Sequence, residues 1–213
     1  MITIVDSGIA NVGSVLAAFG RIRVPAQLTR AAGEVIDASA LVLPGVGSFR
    51  DGMDSLRKHS LVEPIRRAVA RGTPILGICL GLQLLADVSE EFGEHEGLGL
   101  VPGRVVHLEA KHEAERVPNI GWCDVRVRAG TRLFDRTDTG SPFYFVHSYH
   151  MRCANGGDSV ASIEFGGGRV TAAVERGNVF GVQFHPEKSQ DVGLAVLDNY
   201  VRIVGVAGPP CVG

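Results

Sequence analysis

The chain has 213 residues, 45% of them hydrophobic, and its 21 Lys and Arg against 23 Asp and Glu give a formal net charge of -2. That size and apolar content suit one compact domain, and the balanced charge, with no block of like sign, argues against nucleic acid or an anionic membrane as the main partner. The longest apolar stretch, ILGICLGLQLLA, is interrupted by Gly and Gln and falls short of the roughly 20 residues that span a bilayer. MITIVDSGIAN has neither a basic lead nor a cleavable apolar run. Cys79, Cys123, Cys153 and Cys211 form no CxxC pair, so the expectation is a soluble, cytoplasmic chain with reduced thiols.

Over the first hundred residues, short β-branched runs alternate with helical periodicity. ITIV (2–5) leads into Asp6-Ser7-Gly8, and Asn11 is placed to cap a helix through VGSVLAAF, with Val12, Val15, Leu16 and Phe19 on one face. ALVL (40–43) stops at Pro44-Gly45, and PILGI (74–78) turns directly into a helix at LGLQLLA. Such alternation predicts right-handed crossovers and a parallel sheet, with ligand sites at the carboxyl ends of its strands. From about residue 98 the runs shorten: RVVHL (104–108), CDVRVR (123–128), FYFVHSY (143–149), SVASIEF (159–165), RVTAAVE (169–175) and VFGVQF (179–184). Turn residues separate them, which predicts antiparallel or mixed strands. An amphipathic helix over 191–204 follows, and the tail GPPCVG is expected to fray.

The sharpest chemical signal is Gly77-Ile78-Cys79-Leu80-Gly81, set where an apolar strand turns into a helix. This is the cysteine form of a nucleophile elbow. A strained turn lifts the sulfur above the sheet edge, the flanking glycines leave space for the backbone, and the helix N-terminus favours a thiolate. The N–H of Leu80 can help hold an oxyanion. A thiolate needs a base, and that base an orienting partner. His59, His95, His107 and His112 lie in polar surroundings and read as surface residues, whereas His185 ends an apolar strand and is followed by Pro186 and Glu187. Proline biases its predecessor toward extended backbone, where i and i+2 project to the same side. Glu187 can therefore orient His185. In Pro44-Gly45-Val46-Gly47-Ser48-Phe49 two glycines bracket Val46, so that a peptide N–H there can be turned toward a developing negative charge, although a plain tight turn explains the run as well. His147 and His150, three apart, fall on opposite faces of a strand with no completing ligand, so no metal centre is expected.

Together PGVGSF, GICLGLQLL and GVQFHPEKS resemble the three signature blocks of the class I (triad) glutamine amidotransferases. The resemblance implies an α/β, single-domain fold over residues 1–204, with a central, mostly parallel sheet flanked by helices and a smaller antiparallel or mixed sheet, and a tail at 205–213. It implies that Cys79 attacks the glutamine carboxamide, that His185 shuttles the proton and Glu187 orients it, and that a glutamyl thioester is hydrolysed with release of ammonia and no cofactor. VPNIGW (117–122), FYFVHSYH (143–150) and IVDSGIANVGSV resemble the branch of the family that gives its ammonia to a (β/α)8 cyclase in histidine biosynthesis, as one half of a heterodimer. Carried over residue by residue, the oxyanion donors are Val46 and Leu80, the glutamine pocket is Gly45, Gly47, Gln83, His147, Ser148 and Tyr149, and the partner-facing residues are Asn11, Trp122, Tyr144 and Lys188.

Cys123 stands where that branch often shows Asn, and the GPPCVG tail has no counterpart in it. No phosphate-cradling GxGxxG or P-loop is present for an acceptor substrate, which points to a second protein for that task. The competing readings are a paralogous ammonia donor in surface-sugar biosynthesis, a non-catalytic scaffold module and a free-standing cysteine hydrolase. The intact Cys79, His185 and Glu187 speak against the scaffold.

Overall fold

A computed structural model describes residues 1–113 and 115–206, so the GPPCVG tail lies outside the described residues. The first half runs β1 (Ile2–Val5), α1 (Val12–Arg21), β2 (Ala26–Thr29), α2 (Ala32–Ile36), β3 (Leu41–Gly45), α3 (Phe49–Lys58), α4 (Val62–Ala70), β4 (Ile75–Cys79) and α5 (Leu80–Leu84). Asn11 caps α1 through Oδ1, which accepts the Ser14 N–H at 3.4 Å, and Ser48 caps α3 by accepting from the Asp51 N–H at 3.2 Å. The second half runs β5 (Ala86–Ser89), β6 (His95–Glu96), β7 (Val101–His107), β8 (Asn119–Val127), β9 (Ser141–His147), β10 (Tyr149–Cys153), β11 (Ser159–Phe165), β12 (Gly168–Arg176), β13 (Val179–Val182) and α6 (Gln190–Ile203).

Nine strands form the large sheet in the order β2-β1-β3-β4-β13-β12-β11-β8-β9. From β2 to β13 neighbours are parallel, and from β13 to β9 they are antiparallel. The parallel strands β1, β3, β4 and β13 are buried along their whole length because both faces are covered. One face holds α1 and α6, with Phe19, Val196 and Tyr200 in its core, and the Tyr200 hydroxyl donates to the Leu41 carbonyl at 2.7 Å. The other face holds Leu56, Ile65, Leu82 and Val101, from α3, α4, α5 and the four-stranded mixed sheet β10-β7-β5-β6.

Two elements differ from the sequence expectation. The helix after Cys79 stops at Leu84, short of LGLQLLA, because the carbonyls of Leu84 and Leu85 accept from Leu98, Leu100 and Val101 and turn the chain into β5. FYFVHSY is not one strand. It breaks at Ser148, with His147 paired to Asn119 in the large sheet and Tyr149 paired to His107 in the small one. The corner places His147, Ser148 and Tyr149 on the seam between sheets, beside the carboxyl end of β4. Among the described residues no helix is long and apolar enough to cross a membrane.

Candidate active site

Cys79 is the last residue of β4 and precedes α5, with φ 54 and ψ -111. This is a left-handed backbone that non-glycine residues adopt only where the surroundings hold them. The surroundings here are two glycines. A Cβ on Gly77 would sit 2.6 Å from the Gly81 carbonyl oxygen, and a Cβ on Gly81 would run into the carbonyl oxygen of Leu43. Both therefore serve close backbone packing, which presses α5 onto β3 and β4 and turns the sulfur upward.

Strand β13 lies parallel to β4 with Val182 opposite Ile78, so the residues just past β13 come up beside Cys79. His185 is one of them. It is extended, at φ -99 and ψ 96, as its position before Pro186 requires. Its Nδ1 lies 2.8 Å from Glu187 Oε1, and both side chains are 3% exposed. Nε2 is buried and makes no hydrogen bond among the described residues. Burial pushes the imidazole down, but the nearby Cys79 sulfur and the Glu187 carboxylate more than offset it and raise its pKa to about 9. The ring therefore holds its proton at neutral pH, with Nε2 as the nitrogen free to give it up. The backbone of His185 is bolted to β9: its N–H donates to the Tyr144 carbonyl at 2.9 Å, and Ser189 Oγ donates to the His185 carbonyl at 2.7 Å while accepting the Tyr144 N–H at 3.0 Å.

A raised folded pKa stabilises the fold fully below the usual histidine value of 6.5 and loses that contribution as pH rises through about 9. The His185 ring should accordingly titrate near 9 by NMR. In Cys79→Ala the midpoint should fall, because the sulfur is one of the two groups that raise it. An unchanged midpoint would separate the ring from the sulfur.

A cavity of about 350 Å3 opens above the elbow and is lined by Val46, Gly47, Cys79, Leu80, Gln83, His147, Ser148, Tyr149, His185 and Lys188 of the sequence-derived set. Gly47 has φ +97, a backbone suited to glycine, with open space where a side chain would be. His147 is buried and its pKa is lowered to about 4, so it is neutral; with Nδ1 2.9 Å from the Tyr149 carbonyl as donor, its Nε2 accepts from Asn119 at 3.3 Å. Two residues of the set rest away from the sulfur. Gly45 does not line this cavity: paired with Cys79 in the sheet, it borders a narrow crevice behind, with Asn11 and Glu187, and a Cβ there would press on Leu80 at 3.1 Å. The Val46 N–H is not aimed at the sulfur's surroundings, because it donates to the Ile9 carbonyl at 3.0 Å. Leu80 opens α5, where first-turn N–H groups lack helical partners, so its N–H is available.

Glu91 also lines the cavity, although no motif singles it out and it stands among the charged residues of EEFGEHE. Its Oε2 accepts the Phe49 N–H at the start of α3 at 2.6 Å, which draws the carboxylate inward. Trp122 is 48% exposed and meets Tyr144 edge to face at 5.9 Å, and the Lys188 ammonium lies 5.9 Å from the Tyr144 ring. These three side chains form a track from an exposed rim to the cavity, and Asn11 is exposed as well. His147 and His150 sit on different strands, and among the described residues no three His, Cys, Asp or Glu side chains converge as a metal site.

A cysteine on a strained elbow, a buried imidazole with one free nitrogen and a carboxylate behind it can carry out acyl transfer through sulfur. The class I glutamine amidotransferase family model matches residues 3–202. The chain is 45% identical over 204 residues to the imidazole glycerol phosphate synthase subunit HisH of Syntrophotalea carbinolica, covering 94% of this chain and 98% of that one. It is 46% identical over 207 residues to the subunit of the same name from Geobacillus thermodenitrificans, covering 96% of each. A crystal structure of a glutamine amidotransferase superposes with a TM-score of 0.75 at 19% identity, over 96% of this chain and 99% of that one, and so shares the fold. The chain belongs to the class I glutamine amidotransferases.

Proposed function

We propose that this chain is the glutaminase subunit of an imidazole glycerol phosphate synthase, with residues 1–204 as the amidotransferase domain. The Cys79 sulfur attacks the glutamine carboxamide carbon, and the developing oxyanion is held by the Leu80 N–H and, once turned, by the Val46 N–H. His185 Nε2 gives its proton to the departing nitrogen, so ammonia leaves and a glutamyl thioester remains. Water, deprotonated by the same nitrogen, then releases glutamate and restores the thiolate beside a protonated ring. Glu187 keeps the ring oriented throughout. Gln83, Ser148 and Tyr149 border the substrate, and Glu91 is the carboxylate within reach of its ammonium group. The observation that carries this reading is the 2.8 Å His185–Glu187 pair with Nε2 left free in the cavity of Cys79.

The ammonia passes to a cyclase subunit, a (β/α)8 barrel, and the two chains form a heterodimer in the cytoplasm, where free thiols such as Cys79, Cys123 and Cys153 stay reduced. No nucleic acid or membrane takes part. The similarity to subunits that bear the synthase name supports this partner over the surface-sugar paralogue. Asn11, Trp122, Tyr144 and Lys188 form the docking face, with Trp122 as its apolar anchor.

Reconstitution tests the proposal. Mixed with a histidine-pathway cyclase, the chain should drive glutamine-dependent synthesis of imidazole glycerol phosphate. Trp122→Ala should weaken the association by about 2 kcal/mol or more, the scale of a buried aromatic hot spot, with the fold of the free chain unchanged. No synthesis with the cyclase would move the chain to another acceptor. Equal affinity for the Trp122 variant in a titration would remove this face from the interface.

A further inference from the structure

Gln183 lies one residue past β13, in register beside Cys79, and is fully buried. It belongs to none of the groups named so far. Its side-chain oxygen accepts from Gln83 Nε2 at 3.1 Å, and its Nε2 donates to the Cys79 sulfur at 3.8 Å. Gln83 Nε2 donates in turn to the Tyr149 carbonyl at 2.8 Å.

The direction of this chain of bonds follows from its far end. A backbone carbonyl only accepts, so Gln83 must turn its NH2 toward Tyr149, and the same NH2 reaches Gln183. Gln183 must then present oxygen to Gln83 and nitrogen to the sulfur. The opposite rotamer of either amide would set two donors or two acceptors against each other in a buried place. The sulfur is the side-chain acceptor of the buried Gln183 NH2, and a buried amide donor is seldom left unused. An N–H to a sulfur is a weak bond when the sulfur is a thiol and a strong one when it is a thiolate.

We infer that Gln183 is a further catalytic group of this site, a hydrogen-bond donor to the Cys79 thiolate whose polarity is imposed by the Tyr149 carbonyl through Gln83. This rests on the amidotransferase reading of the cavity. It also ties the substrate-bordering residues Gln83 and Tyr149 to the reacting atom, so that a displacement of either is felt at the sulfur.

The test is the alkylation of Cys79 by iodoacetamide in the full-length chain, followed as a function of pH. In Gln183→Glu the second carboxylate oxygen faces the sulfur in place of the donor. The pH of half-maximal alkylation should rise, and kcat with the partner should fall about 10- to 100-fold, the effect of losing a bond to a charged group, with KM changed much less. A folded Gln183→Glu with the unsubstituted alkylation profile would overturn the inference. Gln183→Met, which keeps the bulk and drops the donor, is read in the same way. A measurement that needs no variant is the NMR signal of the Gln183 side-chain NH2, which should shift with the midpoint found by alkylation; an NH2 signal that ignores that midpoint would also overturn it. Glutaminase activity surviving in Cys79→Ala would instead defeat the underlying reading, so the two failures are distinguishable.

Discussion

Cys79→Ala should abolish glutamine hydrolysis while leaving the fold, and synthesis driven by added ammonium in the complex with the cyclase, intact. The substitution removes only the sulfur. The left-handed backbone of the elbow is imposed by the packing of Gly77 and Gly81 against neighbouring backbone, not by the side chain at 79. Without the sulfur no thioester forms, and neither His185 nor the oxyanion donors can substitute for a nucleophile; losses of about a million-fold accompany removal of the nucleophile in comparable triads. Free ammonia bypasses the step altogether, so the partner's chemistry is spared. Paired assays, one with glutamine and one with an ammonium salt, decide it: residual glutaminase turnover would remove Cys79 from the role proposed here, and loss of both activities would point to a broken fold or interface.

The chain alone should hydrolyse glutamine about 100-fold or more slowly than the complex loaded with its acceptor substrate. The reason is the bond between the Val46 N–H and the Ile9 carbonyl. A donor so engaged cannot stabilise an oxyanion, and the absence of one such donor slows acyl transfer by about 100- to 1000-fold. The peptide between Gly45 and Val46 must turn before it can contribute, a rotation about ψ of Gly45 and φ of Val46 that the missing side chain of Gly45 eases. Val46 is exposed, and the Ile9 loop leads into Asn11 on the docking face proposed above, so a bound partner can favour the turned state. Full turnover by the chain alone would mean that Leu80 suffices. Val46→Pro, which removes the N–H, should flatten the difference between free and bound chains.

The parts of this arrangement that were legible in the sequence are those in which chemistry and backbone geometry coincide. GICLG shows its function because only glycines permit the elbow, and His185-Pro186-Glu187 because proline sets the extended backbone that brings imidazole and carboxylate together. What escaped depends on distant partners. Glu91 looks like surface until the Phe49 N–H draws it inward, Gln183 is hidden inside an apolar run, and the break at Ser148 arises because β9 and β10 find partners in different sheets. The helix after Cys79 is cut short by hydrogen bonds from residues more than a dozen positions later. The orientation of the Val46 N–H is a property of one peptide plane, which glycines announce as adjustable without saying where it rests.

Cys79 ends β4, and His185, three residues past the neighbouring β13, is tied by its own main chain to Tyr144 and Ser189, so their separation is set by main-chain hydrogen bonds of the core. Neither can be displaced without breaking main-chain hydrogen bonds in the core. A signal arriving from outside therefore acts less readily on the pair than on the Gly45–Val46 amide beside it, whose N–H is held by the Ile9 carbonyl. Control exerted there changes how fast bound glutamine turns over and leaves the strength of its binding almost untouched, much as a throttle acts on an engine already coupled to its load.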